Sequence, residues 1–241
     1  MLFNDFVAKS LILLDRYIAL VTRIFGGFQV AQKNYENTIE LTENSDFRRL
    51  QMAQAKTLNS TDIEHVLAYV ETRAHAARNR AMLMLTHLAG LRVGEVACLR
   101  WQDVTNKDGS VKEEIRLLPD MTKGRHARTV FVSSKLKAEL NSYIATAKCV
   151  ERSYPFFATQ KSIKQGFSAN SLTQTLALLY RGAGLEGASS HSGRRTFLTN
   201  LANKGTAIHL LKTLAGHRSI QTTATYLYSS PSQLRAVVEL A

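Results

Sequence analysis

The stretch from Ala76 to Leu88 constrains this chain most. Ala81, Met82, Met84, Leu85 and Leu88 make it a strongly apolar helix. Gly90 then breaks the pattern, and Val93 to Leu99 starts again as a helix. Arg92 falls between the break and the restart. That puts it at a helix N-terminus, where backbone N–H groups also face an anion. Glu95, three residues on, can orient a neighbouring side chain. The plainer reading is an ordinary i,i+3 surface ion pair between Arg92 and Glu95.

The remaining pattern is mostly helical. Phe6, Leu11, Leu13, Leu14, Ile18, Leu20, Val21 and Ile24 form a rough stripe that ends at Gly26-Gly27, and residues 26–57 are polar and weakly patterned. A helix is expected from Ser60-Thr61, with Thr61 and Glu64 spaced as a capping box. Glu113 to Leu118 and Arg128 to Val132 read as two strands around a basic turn, Thr122-Lys123-Gly124-Arg125. Further helices are expected over Lys135 to Ala147, Asn170 to Tyr180, 193–203, 206–214, 219–227 and Ser232 to Leu240. The expected fold is therefore α+β: mainly helical, with a small antiparallel sheet. Residues 1–57 form a helical extension and linker, residues 58–230 the main domain, and residues 231–241 a tail helix.

Charge narrows the partner. The chain of 241 residues carries a formal charge of +12 with a pI of about 9.9, so an anionic partner is expected. Residues 1–57 hold seven Lys/Arg against six Asp/Glu, while Arg152 to Arg235 holds ten basic residues and one acid, Glu186. A membrane surface would attract the same patch. However, Lys9, Asp15, Arg16 and Arg23 interrupt the apolar N-terminal stretch, and no cleavage site follows it, so neither a spanning helix nor a signal peptide is expected. Cys98 and Cys149 stand far apart, with neither zinc spacing nor a disulfide framework, which suits a reducing cytoplasm. Cys98, inside an apolar helical run, reads as core rather than nucleophile.

The chemistry concentrates in the last fifth: His191-Ser192-Gly193-Arg194, then Gly216-His217, then Tyr226. An arginine holds phosphate oxygens in a planar fork. Histidines donate hydrogen bonds or move a proton, and a tyrosine can attack phosphorus to form a covalent ester. Cutting a phosphodiester needs cationic donors for the charge that gathers on the non-bridging oxygens, and Arg92 and Arg194 fit. The leaving deoxyribose oxygen needs a proton, and Lys123 on its hairpin can supply one. Tyrosine, with an ordinary pKa of about 10, needs a base such as His191, and His217 would donate to a phosphate oxygen. Each residue also has a plain reading: an arginine in a surface pair, a lysine in a turn, a half-buried aromatic. Their order and neighbours together favour the chemical one.

These residues resemble the tyrosine recombinase, or phage integrase, family. The similarity runs through "HLAGLRVGEVACLRWQDV" (87–104), "TKGRHARTVFV" (122–132), "HSGRRTFLTNLANKG" (191–205) and "LLKTLAGHRSIQTTATYLYSS" (210–230). The family pattern falls on Arg92, Lys123, His191, Arg194, His217 and Tyr226, with Glu95 in support and Arg125, Arg128, Arg195 and Arg218 expected to bind DNA. The resemblance implies a helical domain with a three-stranded sheet. It implies cutting of double-stranded DNA at recombination sites through a 3′-phosphotyrosyl bond, with no ATP, metal or other cofactor. It also implies a homotetrameric synapse with tail exchange between protomers, accessory DNA-bending proteins, and a cytoplasmic, nucleoid-associated location. Most members carry a helical clamp domain before the part matched here. Only 57 residues precede it in this sequence, as in the short fimbrial phase-variation recombinases, to which "HAARNRAMLML" (75–85) is similar. Clamp-like DNA binding is therefore not expected, and the apolar N-terminal helix suits packing on protein better than on phosphate.

Three other functions compete. A type IB topoisomerase would use similar chemistry to relax supercoils, a silent regulator would keep the fold without the activity, and a metallonuclease would use His191 and His217. The short size and the Gly216-His217 box speak against the first, and the complete set of six residues against the second. The lack of nearby acids weighs against the third.

Overall fold

The computed structural model describes residues 55–122, 124–147, 149–227 and 238–239. The N-terminal stripe, Lys123 and all of the expected tail helix but Val238 and Glu239 lie outside these residues. Helix α1 spans Ser60–Glu71. Its cap is not the expected pair of Thr61 and Glu64. Asn59 Oδ1 accepts the Asp62 N–H at 2.7 Å, and Asp62 Oδ2 accepts the Asn59 N–H at 3.1 Å. Asn59 precedes Thr61 with an equally good capping group, so the helix starts there.

Helix α2, Ala76–Leu88, is the centre of the fold: Ala81 to His87 are all buried. A stripe-sided helix would leave one face in water, whereas this one is enclosed on nearly all sides. It packs against α1, against α5 (Ser134–Thr146) and against α7 (Ser192–Asn203). After the break at Gly90 come α3 (Val93–Cys98) and the short α4 (Trp101–Val104). Val93 and Val96 are buried while Cys98 is exposed, contrary to its assignment to the core. At about 100° per residue, Cys98 lies far around the helix from both valines. Burial of part of its side chain raises its thiol pKa, so it gains no nucleophilic character.

Strands β1 (Glu114–Leu117) and β2 (Arg128–Phe131) pair antiparallel, with Glu114 opposite Phe131 and Leu117 opposite Arg128. Among the described residues the sheet has these two strands, one fewer than the resemblance implies. Ile115, Leu117 and Val130 point into the core, as the two-residue period of a half-buried hairpin requires. Helix α6, Ala169–Gly182, packs on α1 and α3 through Leu172, Leu176 and Tyr180. It extends past its expected end at Tyr180. Helices α8 (Ile208–Ala215) and α9 (Ile220–Ala224) form a pair beside α7.

One close approach fixes the placement of α7. A Cβ on Gly193 would lie 2.1 Å from Thr86 Oγ1, so α2 and α7 touch at backbone distance. Buried Thr196 bonds the Leu58 N–H at 2.8 Å, which ties the chain before α1 to the same helix.

Candidate active site

Arg92 is the N-cap of α3, in extended backbone conformation. Its own N–H donates to Glu95 Oε2 at 2.7 Å, and its Nη1 donates to Oε1 at 3.0 Å. Glu95 is 1% exposed, so the pair is not the surface ion pair of the plainer reading. The carboxylate also receives Arg128 Nη2 at 2.7 Å and, more weakly, Nε at 3.4 Å. Burial alone would raise the Glu95 pKa; the hydrogen bonds and charges of Arg128 and Arg92 outweigh it and hold the carboxyl below its ordinary value.

Arg194 emerges from the first turn of α7 and is 6% exposed. Its guanidinium donates to the Gly90 carbonyl across the helix break and to the Ala215 carbonyl at 2.6 Å. Its Nη2 also lies 3.0 Å from His217 Nε2. Among the described residues no carboxylate pairs with Arg194. Burial, then the charges of Arg92 and Arg128, push its pKa down to about 10, which leaves it charged at neutral pH. A buried cation without a counter-ion is costly, and an anion at this point would relieve that cost.

His217 follows the left-handed Gly216 that ends α8. Because a guanidinium only donates, Nε2 accepts from Arg194 in this arrangement and Nδ1 carries the hydrogen. Nδ1 lies 3.0 Å from Thr223 Oγ1. Burial and the surrounding arginines lower the imidazole pKa from 6.5 to about 4, so the ring is neutral. A hydroxyl can donate as well as accept, so Thr223 supports either tautomer. Donation from Nε2 to a phosphate oxygen, the expected role, therefore requires Arg194 to move off and the proton to change sides.

Tyr226 lies just after α9 and is half-buried. Its ring stacks on His217 with centroids 5.9 Å apart and planes 17° apart. The Arg195 guanidinium carbon is 6.0 Å from the centre of the same ring, while Arg195 Nε donates to Thr57 Oγ1 at 3.0 Å. Arg92, Arg194, His217 and Tyr226 are thus gathered at one place. A cleft of about 550 Å³ opens there, bounded by Arg92, Thr122, His126, His217 and Arg218. Thr122 Oγ1 bonds both backbone groups of His126, which staples the 122–126 turn. This cationic cleft beside a phenol can hold a tetrahedral anion and present a nucleophile to it.

The other expected residues are placed variously. His191 is exposed at the N-cap of α7, and its ring makes no hydrogen bond among the described residues. Arg125, with a left-handed φ of 52°, and Arg218 are exposed and accessible to a phosphate backbone. Arg128 is a correction. Its side chain is 8% exposed, and although it lines the cleft its guanidinium is engaged by Glu95 and by the Leu214 carbonyl at 2.8 Å, so it is not an open surface cation. In a strand, the residue's direction is set by the pleat, and position 128 faces inward beside a buried carboxylate. Arg195 likewise turns toward Thr57 and Tyr226. Sequence reasoning missed Thr223 and Thr57; a lone threonine carries no signal without its partner in space.

The phage integrase family model matches residues 56–233, and the chain belongs to that family. Transposase A from transposon Tn554 of Staphylococcus aureus is 27% identical over 198 residues, 78% of this chain and 52% of that protein. A tyrosine recombinase of Pseudothermotoga lettingae is 28% identical over 218 residues, 89% of this chain and 70% of its own. The chain thus spans about half the length of the Tn554 transposase. Among solved structures, the XerA recombinase shares the fold with a TM-score of 0.61 at 21% identity, covering 77% of this chain and 64% of that one. The Tn1549 transposon integrase in complex with a circular intermediate DNA follows at 0.60 and 20%, covering 78% and 66%. No described helix is long and apolar enough to cross a membrane.

Proposed function

We propose that this chain is a site-specific DNA recombinase that cuts and rejoins duplex DNA through a 3′-phosphotyrosyl intermediate. The observation that carries the reading is the excess of buried positive charge beside Tyr226. Arg92 and His217 line the cleft, Arg194 lies behind them with its Nη2 3.0 Å from His217 Nε2, and Arg194 has no carboxylate of its own among the described residues. In this reading the scissile phosphate enters the cleft beside Arg92 and His217 and draws Arg194 off His217.

In the proposed reaction the Tyr226 Oη attacks phosphorus as His191 takes the phenolic proton. The bond from phosphorus to the 5′ oxygen breaks, and Lys123 gives that oxygen its proton. Arg92 and Arg194 stabilise the charge on the non-bridging oxygens, and His217 joins them once Arg194 turns to the phosphate. The products are a phosphotyrosyl ester and a free 5′ hydroxyl. The ester keeps the energy of the broken linkage, so a second 5′ hydroxyl reverses the step on a new partner. Recombination sites in duplex DNA are the substrate. The working assembly is a homotetramer with tail exchange, aided by DNA-bending proteins and located in the cytoplasm at the nucleoid. Domain limits of 1–57, 58–230 and 231–241 complete the proposal.

A nicked suicide substrate tests it. Wild type is expected to form a covalent protein–DNA adduct in excess EDTA. Tyr226→Phe is expected to bind DNA without an adduct, while Tyr228→Phe keeps it. An adduct in Tyr226→Phe, or strict dependence on added Mg²⁺, refutes the reading.

A further inference from the structure

Helix α8 ends with three carbonyls that no helical N–H can reach, and each takes an arginine. Leu214 O accepts from Arg128 Nη1 at 2.8 Å, Ala215 O from Arg194 Nη2 at 2.6 Å, and Gly216 O, more weakly, from Arg92 Nη2 at 3.4 Å. Arg92 and Arg128 line the cleft, and Arg194 lies behind it against His217. Arg92 and Arg128 both reach Glu95 and the end of α8, but only Arg128 holds both with short bonds, 2.7 Å to Glu95 and 2.8 Å to Leu214 O. Its stem is also fitted to the turn before His217: a Cβ on Gly216 would lie 2.5 Å from Arg128 Cδ, at a φ of +60°.

We propose that Arg128 is a positioning residue for strand cleavage, a buried clasp that sets Arg92 through Glu95 and the Gly216-His217 turn through the Leu214 carbonyl. What it positions rests on the recombinase reading above; that it positions them rests on the contacts. Arg128 opens β2, paired with Leu117, so the clasp also joins the hairpin to the two elements that carry Arg92 and His217. A planar guanidinium is required, because one edge must meet a carboxylate while the other meets a carbonyl. A lysine ammonium in its place would keep a charge for Glu95 and lose the reach to Leu214. A phosphate would have to displace the Glu95 carboxylate to take this guanidinium, whereas Arg194 has only neutral acceptors to give up.

Full-length Arg128→Met and Arg128→Lys variants test the clasp with two readouts. In DNA-free protein, the His217 ring nitrogens, assigned by comparison with His217→Gln, are expected to shift in Arg128→Met as the turn relaxes. On saturating suicide substrate, the single-turnover rate of adduct formation is expected to fall on the order of 10²-fold, as for a displacement of about 1 Å at a catalytic group. DNA affinity and the folded fraction should be unchanged. Arg128→Lys should recover part of the rate, and it serves as the folded variant if the methionine form does not fold. Wild-type rates in the folded variants overturn the proposal. So does a loss confined to DNA affinity, or an unmoved His217 signal. A wild-type protein that forms no adduct would refute the recombinase reading instead, and the His217 signal would still decide for or against the clasp.

Discussion

Replacing Glu95 by glutamine tests whether the ion cluster under the cleft is structural capital or ornament. The carboxylate is buried and accepts from the Arg92 N–H, from Arg92 Nη1 and from two nitrogens of Arg128. Glutamine keeps the shape but removes the charge and turns one acceptor into a donor facing a guanidinium. Breaking a buried pair by altering one partner costs about 3–5 kcal/mol, and Arg92, 27% exposed, recovers some of that by turning to water. The expected loss at pH 7 is therefore toward the lower end, about 3 kcal/mol. The acid dependence is the sharper test. The folded-state pKa of Glu95 lies below its ordinary value of 4.5, so its contribution is present above pH 4.5 and is lost as pH falls through the folded value. The stability gap between wild type and Glu95→Gln should be flat from neutral pH down to about 5 and then close. His217 titrates in both proteins and largely cancels from the difference. Urea unfolding by circular dichroism across pH 3–7 measures this. A gap under about 1 kcal/mol at pH 7, or one that stays constant into acid, would refute a buried, charged Glu95.

Three further outcomes are expected. Thr223→Val removes the hydroxyl beside His217 Nδ1; a lost hydrogen bond of about 1 kcal/mol should slow adduct formation by several-fold in single-turnover assays and leave DNA affinity unchanged. Gly193→Ala places a methyl 2.1 Å from Thr86 Oγ1; the overpacking should cost about 1–3 kcal/mol by thermal unfolding and slow cleavage by moving Arg194. Lys123→Ala should cleave ordinary DNA slowly and recover on DNA whose scissile 5′ bridging oxygen is sulfur, because a thiolate leaves without a proton. Absence of rescue would assign the proton to another group.

The local signals that the sequence carried well were those set by neighbours along the chain. The break at Gly90 with Arg92 behind it, the hairpin of Glu114–Leu117 and Arg128–Phe131, and the order of His191, Arg194, His217 and Tyr226 all survive as placed elements. What was not legible depends on direction in space. Arg128 reads as one more basic residue of a DNA surface until the pleat turns it inward to Glu95. Cys98 reads as core from its neighbours, but the turn angle of a six-residue helix carries it outside. Asn59 and Thr61 are both good caps, and the choice fell to the residue met first. The tautomer of His217 depends on a guanidinium donated by a helix 23 residues away.

Arg92 and Arg194, both held on the end of α8, have a consequence for the entropy of binding. A free arginine side chain has about 2 kcal/mol of rotameric freedom, and an active site that orders such chains only on contact loses that freedom from its affinity. Here the two guanidinia are already anchored on Gly216 and Ala215 before a phosphate of the proposed substrate enters. Folding, not the encounter with DNA, has frozen them. An entering phosphate exchanges one acceptor for another instead of immobilising loose cations, so more of the electrostatic attraction is left for the step in which charge develops.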